Sequence, residues 1–176
     1  MQAPAGGAAE GNVPMTTTAG TSTSSTSSTA TGSAEAGVRA VLAQYVEAHA
    51  RRDPEAILAF FADGAARYNL APPLQQGAGT MVGDVEGVRS WLATFDGPVV
   101  LEHRDLEVAA EGAVAFAYAL TKMTAKPVGA PEPFSFWLRS TFGLRLLDGG
   151  WRIVHEHEST PFYMDGSFRA AVDLEP

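Results

Sequence analysis

The stretch WRIVHEHES, residues 151–159, brings two of the chain's four histidines together with two glutamates. Side chains alternate along a strand, so His155 and His157 share one face while Glu156 and Glu158 share the other. Burial among apolar groups favours the neutral form of a glutamate and makes it an acid or base near neutrality, whereas a histidine titrates there without such tuning. The stretch therefore predicts an acid–base site in which His155, Glu156 or Glu158 is catalytic.

Two other interpretations of this strand stay open. His-x-His on a strand can hold zinc, copper or iron, since the two rings project in the same direction about 6.6–6.8 Å apart. A third ligand would be needed, and His103 is the best available, beside His155 and His157. Alternatively, the glutamates pair with Arg139 or Arg145 on an exposed sheet face. We expect no metal, because a His-x-His pair is a short motif of low specificity, and no cofactor, because the chain has no phosphate-binding or dinucleotide fingerprint.

The elements that would position these residues follow from periodicity and capping. Apolar residues from Val38 to His49 have the spacing of an amphipathic helix over 34–53. Asp53-Pro54 predicts the start of a second helix that ends before Gly64, and Asp84 predicts the start of a third. A short strand over AARYN and a Pro/Gly loop, LAPPLQQGAG, lie between the second and third helices. Alternation then predicts strands near 99–109, 113–125, 134–147 and 151–159.

The second of these strands has an unusual composition. Four alanines, among them Ala117 and Ala119, alternate with Val114, Phe116, Tyr118 and Leu120. Protein interiors are packed to crystal-like density, so an alanine row under helices either lets a helix approach closely or leaves space for a ligand.

The amino-acid composition indicates where the folded domain lies and which classes of partner are disfavoured. Residues 1–33 contain no Lys or Arg and run through a Ser/Thr/Gly tract, which predicts a disordered tail, and Met15 is an alternative start to Met1. The domain is expected over 34–165, with a C-terminal tail at 166–176.

A net charge of −8 without a basic cluster argues against nucleic acid as partner. With no apolar run of membrane-spanning length and no signal pattern, we expect no membrane partner and a cytoplasmic location.

Two blocks of the sequence resemble a known superfamily over about residues 36–163. AQYVEAHARRDPEAILAFFADGAARYN resembles the opening block of the ketosteroid isomerase, SnoaL-like polyketide cyclase and nuclear transport factor 2-like superfamily. DGGWRIVHEHES resembles the ending of SnoaL-like proteins and of the association domain of calmodulin-dependent kinases. The resemblance implies an α+β, cone-shaped fold in which three N-terminal helices pack on a bent antiparallel sheet and enclose an apolar pocket. It also implies a homodimer formed through the outer sheet face.

The resemblance also assigns roles to individual residues. Tyr45 matches the first-helix tyrosine that donates a hydrogen bond to the developing oxyanion in ketosteroid isomerases. Asn69 stands where those enzymes have their aspartate base, and Phe142 stands near their second oxyanion donor, which disfavours classical steroid isomerisation. The polyketide cyclases draw an acidic residue from the last strand, which implies that Glu156 and Glu158 face the pocket. A strand bulge would reverse this.

The expected function is a cofactor-independent enzyme, an isomerase, cyclase or dehydratase, acting on a small apolar carbonyl compound. Glu156, Glu158 or His155 would move the proton, with Tyr45 and Asn69 stabilising the enolate oxygen. The alternatives are a non-catalytic ligand-binding or self-associating module and a metal-dependent variant. The side chains expected to line the pocket are Tyr68, Ala117, Ala119, Trp137 and Phe142.

Overall fold

The computed structural model describes residues 24–176 and has three helices packed against one curled five-stranded sheet. Side chains are described from residue 31 onward. The elements are α1 (Ser24–Arg51), α2 (Pro54–Ala59), β1 (Phe61–Tyr68), α3 (Val85–Leu92), β2 (Val100–Glu111), β3 (Val114–Ala125), β4 (Phe134–Leu147) and β5 (Gly150–Ser159). The expected α+β architecture, with few helices on a curled and unclosed sheet, is confirmed. Within the described residues, none of the helices has the length and apolar character needed to cross a bilayer.

The sheet has the strand order β1-β5-β4-β3-β2. Strands β2 to β5 form an antiparallel meander and agree closely with the strands expected from alternation. The expectation of a wholly antiparallel sheet is wrong at one edge, where β1 pairs parallel with β5. After β1 the chain passes through α3 and enters β2 at the opposite edge of the sheet. Strands β1 and β5 are therefore neighbours in the sheet although they are far apart in the sequence.

The bounds of the first elements differ from the sequence expectation. Helix α1 begins at Ser24, so residues 24–33, assigned above to the disordered tail, form its first turns. Once the amphipathic part of a helix is packed, each added residue gains a hydrogen bond without a new nucleation step. Residues 1–23 of the expected tail lie outside the described part of the chain. Helix α2 ends at Ala59, and Phe61 already belongs to β1, because that segment completes the sheet by pairing with β5.

The junction of α1 with α3 is fixed by one arginine. Arg52 has a left-handed backbone (φ 58°) that ends α1, and Asp53 then caps α2 by accepting a hydrogen bond from the Ala56 backbone N–H. The Arg52 guanidinium donates to the backbone carbonyls of Leu92, Phe95 and Gly97 at 2.7–3.0 Å. It therefore ties the end of α1 to the last residue of α3 and to the turn that follows α3.

A bulge in β5 decides which side chains enter the interior. Leu144 pairs with Ile153 and Gly143 with His155, so Val154 is an extra residue with no partner on β4. Trp151 and Ile153 are buried before the bulge, and Glu156 is buried after it. The bulge therefore lets an apolar half and an acidic half of the same strand face inward, which regular alternation forbids.

Candidate active site

A cavity of about 210 Å³ opens into the interior at the end of the sheet where β2 begins. Its wall is mostly aromatic and aliphatic, with only a few polar groups, the composition usual for a small-molecule site. It is lined by Tyr45, His49, Ile57, Arg67, Asn69, Leu70, Ala71, Met81, Val82, Val88, Trp91, Leu101, Met123, Phe134, Phe136 and Glu158.

Glu156 forms the fixed part of the site. Its side chain is 1% exposed, and its Oε1 accepts a hydrogen bond of 2.7 Å from the Tyr45 hydroxyl. Its Oε2 accepts one of 3.3 Å from Nε of Arg67, which is itself buried. Arg67 also donates to the backbone carbonyl of Val82 and stacks over the Phe61 ring at 3.9 Å. Both carboxylate oxygens are thus occupied, and the buried charge is compensated.

Glu158 has a different environment two residues further along β5. It is partly buried, lines the cavity, and its Oε2 accepts a hydrogen bond of 2.7 Å from the Asn69 amide. Burial raises the pKa of this carboxyl from its ordinary 4.5 to about 8; the charge of Glu156 adds to the rise, and Arg67 opposes it. At pH 7 the Glu158 carboxyl is therefore mostly protonated and faces the cavity.

Two α1 residues one helical turn apart complete the polar wall. Burial, followed by the charge of Glu156, raises the pKa of Tyr45 well above 10, so its hydroxyl keeps its proton. His49 packs edge-on against the Tyr45 and Trp91 rings, and its Nδ1 lies 2.9 Å from the backbone carbonyl of Tyr45. Burial lowers the pKa of His49 from 6.5 to about 4. The ring is therefore neutral, and Nδ1–H donates to the carbonyl, which leaves the Nε2 lone pair for a ligand.

The structure brings four of the five predicted catalytic residues together. Tyr45, Asn69, Glu156 and Glu158 are joined in two hydrogen-bonded pairs on one side of the interior. Tyr45 is not free to donate to a substrate oxygen as the resemblance implied, because its one hydroxyl proton is donated to Glu156, and one of the two N–H groups of the Asn69 amide is taken by Glu158. His155 is not part of this group: it lies on the outer face, where its ring packs against Tyr68.

Several of the side chains expected in the pocket lie elsewhere. Tyr68 and Trp137 are on the outer face because their strand neighbours, Arg67 and Phe136, point inward. Trp137 there donates through Nε1 to Glu175 of the C-terminal segment. The remaining three expected residues, Ala117, Ala119 and Phe142, are buried without lining the cavity.

The alanine row and Phe142 have packing roles. Ala117 belongs to the same buried core as Val38 and Leu42 of α1 and does not line the cavity. The Phe142 ring is buried in the core, with its centroid 6.3 Å from that of the Tyr45 ring and 5.7 Å from that of the His103 ring.

The three histidines considered as metal ligands do not converge. His103 points into the interior and bonds to Thr121 through Nδ1, while His155 and His157 project from the other face of the sheet. Within residues 24–176, no group of three His, Cys, Asp or Glu side chains is arranged to hold a metal ion.

Two residues of the site were missed by the sequence reasoning. Arg67 is two positions before Asn69 on an extended segment, so alternation places both on one face. His49 is four residues after Tyr45 on a helix, so the two share a face. Both signals were present in the sequence, but a histidine in an apolar stripe and an arginine in a short strand are also common without a function.

A curled sheet closed by three helices, with a polar-ended apolar pocket inside, defines the nuclear transport factor 2-like cone fold. Residues 38–163 match the model of the SnoaL-like domain family, and the chain belongs to that family. A comparison with functionally curated proteins finds no significant match.

Solved structures with the same fold carry different functional descriptions. An NTF2-like protein of unknown function from Pseudomonas putida KT2440 is 28% identical, with a TM-score of 0.70 over 82% of this chain and 98% of that one. A candidate scytalone dehydratase from Novosphingobium aromaticivorans is 14% identical, with a TM-score of 0.60 over 77% and 89%. A ketosteroid isomerase-like protein from Erwinia carotovora atroseptica is 18% identical, with a TM-score of 0.55 over 71% and 94%. The last two likenesses establish the fold and no activity.

Proposed function

We propose that the protein is a cofactor-independent enzyme that moves a proton on a small apolar carbonyl compound, in an isomerisation, cyclisation or dehydration. The observation that carries this proposal is Glu158: a carboxyl group with a pKa of about 8, held by Asn69 and facing an apolar cavity. A carboxyl with a pKa near the working pH is a far better proton acceptor than an ordinary one and returns the proton readily. The cavity is smaller than the roughly 300–1,000 Å³ of sites for drug-sized ligands, which favours a small substrate.

The proposed reaction divides the work between the polar residues. The Glu158 carboxylate removes a proton from the carbon next to the carbonyl, and the resulting carboxylic acid returns it to another carbon or to a leaving oxygen. Negative charge that develops on the substrate's carbonyl oxygen is stabilised by the positive charge of the Arg67 guanidinium. Arg67 lines the cavity and is buried from water. Tyr45 and Asn69 act as positioning residues, since each holds a glutamate by one hydrogen bond.

Exchange of protons for deuterons tests this chemistry without knowledge of the natural substrate. The protein is incubated in D₂O with small ketones such as 2-tetralone and cyclohexanone, and loss of the α-proton signal is followed by NMR. We expect enzyme-dependent exchange, and Glu158→Gln should reduce it by about 10²–10⁴-fold, the usual contribution of a general base. Glu102→Gln, at an exposed position of β2, is the matched control and should leave the rate unchanged. Equal rates in both variants would contradict the proposal.

A second candidate function is ligand binding without catalysis. It is supported by the fact that the hydrogen bonds of Tyr45 and Asn69 are directed to carboxyl groups of the protein and not into the cavity. In that case the ketones would bind, as shown by chemical-shift changes at the cavity residues, and no deuterium would enter them.

We also propose that the chain forms the homodimer expected from the resemblance. The outer face of β3 presents an apolar row, with Val114, Phe116 and Tyr118 at 58%, 50% and 51% exposure. Exposed contiguous apolar surface of this kind favours an interface. Sedimentation equilibrium should give twice the monomer mass.

A further inference from the structure

A row of polar side chains crosses the inner face of the sheet beyond Glu158. His103 on β2 lies 2.9 Å from the Thr121 hydroxyl on β3, measured from Nδ1. The Thr121 hydroxyl lies 2.8 Å from that of Ser140 on β4. Thr121 and Ser140 are 1% and 2% exposed, so the row is shielded from water.

The row ends opposite Glu158. Ser140 and Glu158 are paired across β4 and β5, and both side chains point into the interior. Directly opposed residues of an antiparallel pair have Cβ atoms about 4.5–5.5 Å apart, within reach of a serine hydroxyl and a glutamate carboxyl. Asn69 occupies Oε2 of Glu158, which leaves Oε1 for another donor.

The direction of hydrogen-bond donation along the row follows from the tautomer of His103, the residue farthest from Glu158. Nε2 of His103 is buried and has no hydrogen-bond partner among the described residues. Burial lowers the pKa of His103 to about 4, so the ring is neutral and only one nitrogen carries a proton. A buried N–H without a partner is rarer than a buried acceptor without one, so the proton belongs on Nδ1. His103 then donates to Thr121, and Thr121 donates to Ser140.

This direction gives the last hydroxyl a free proton. Within the described residues the Ser140 hydroxyl makes one side-chain hydrogen bond, the one to Thr121. With donation in this direction, Ser140 accepts in that bond. Its own O–H is then available to Glu158, the residue paired with Ser140 on β5. Hydroxyl rotation costs little, so the serine can follow the charge of the carboxyl.

We propose that His103, Thr121 and Ser140 form a hydrogen-bond chain that donates to Glu158 and favours its ionised form, which makes His103 a positioning residue for the reaction. This inference rests on the proposed function, because it assigns the chain to the group that moves the proton. The chain opposes the effect of burial on Glu158, and it keeps part of the carboxyl population ionised near neutrality.

Titration of Glu158 in matched variants tests the chain without a substrate. The protein is labelled with carbon-13 at the glutamate side-chain carboxyl, and the Glu158 signal is assigned by its absence in Glu158→Gln. Ser140→Ala should raise the midpoint by about 0.4–1 pH unit, the equivalent of one hydrogen bond. Thr121→Val should raise it by a smaller amount, because the Ser140 hydroxyl remains but loses the donor that directs it. His103→Phe should raise it less, because the Thr121 hydroxyl can still donate to Ser140.

Two controls separate this role from a general packing effect. Thr121→Ser keeps the hydroxyl and should restore the wild-type midpoint. Thr141→Val removes a hydroxyl from the neighbouring, outward-facing position of β4 and should leave the midpoint unchanged. An unchanged or lowered midpoint in Ser140→Ala and Thr121→Val would overturn the chain. A wild-type midpoint near the ordinary 4.5 would instead contradict the proposed function, so the two failures are distinguishable.

Discussion

Glu156 and Glu158 are two residues apart on the same face of β5, but their surroundings give them different properties. Glu156 is 1% exposed and held by Tyr45 and by the positive charge of Arg67. Glu158 lines the cavity and has the neutral amide of Asn69 as its hydrogen-bond donor. The comparison teaches that the partner decides the role of a carboxyl in an interior: a paired charge supports the structure, and an unpaired group keeps its proton.

The largest expected effect comes from removing the paired carboxylate. Glu156→Gln leaves Arg67 as a buried charge without a counter-charge, and we expect the free energy of unfolding to fall by about 3–5 kcal/mol. Urea denaturation measures this. Glu158→Gln, two residues away, is the matched control at pH 5, where the folded-state carboxyl is already neutral and the substitution should change stability far less. The double variant Arg67→Met/Glu156→Gln should recover part of the lost free energy of unfolding. If it recovers none, Glu156 is not the ion-pair partner of Arg67.

The next effect distinguishes the hydrogen bonds to the two carboxyls. Tyr45→Phe removes a donor to a charged acceptor, and we expect a loss of about 1.5–3 kcal/mol in unfolding free energy. Asn69→Leu removes a donor to a mostly protonated carboxyl, and the expected loss is nearer 1 kcal/mol. The reverse order would show that Glu158, and not Glu156, carries the buried charge.

A smaller effect is the pH dependence that Glu158 gives to stability. The folded protein keeps the Glu158 proton up to about pH 8, whereas the unfolded chain loses it near 4.5. The folded state therefore binds more protons in this window, and its stability decreases as the pH rises from 4.5 to 8. Glu158→Gln should lack this contribution and gain on the order of 2 kcal/mol relative to the wild type between pH 5 and pH 8.5, after allowance for partial exposure. Parallel pH profiles for the two proteins would contradict the shift.

The sequence was sufficient for most of the fold. Alternation located β2 to β5 closely, since each strand has one buried and one exposed face and ends at a Gly-containing turn or a Pro-rich loop. Asp53 and Asp84 were predicted as caps and do cap α2 and α3. The early start of α1 and the end of α2 could not be predicted, because they depend on packing and on the pairing of β1 with β5.

The site was only partly predictable. The acidic residues of β5 could be selected by type, and the resemblance placed them inward, but the bulge at Val154 has no signature in the sequence. We predicted that a bulge would turn the glutamates away from the pocket. Instead it lets Trp151 and Ile153 join the apolar core while Glu156 and Glu158 still face inward. Tyr45 is 111 positions before its partner Glu156, and Asn69 is 89 positions before its partner Glu158. Local spacing in the sequence does not reveal pairs so far apart.

The most direct test of Glu158 as the proton-transfer group is an infrared titration of the wild type against Glu158→Gln. We expect the wild type to show a protonated carboxyl stretch at pH 7 that the variant lacks, and we expect this band to disappear with a midpoint near 8. If the difference band is absent at pH 7, and Glu158 ionises near its ordinary 4.5, the carboxyl is not tuned for proton transfer and its proposed role is contradicted.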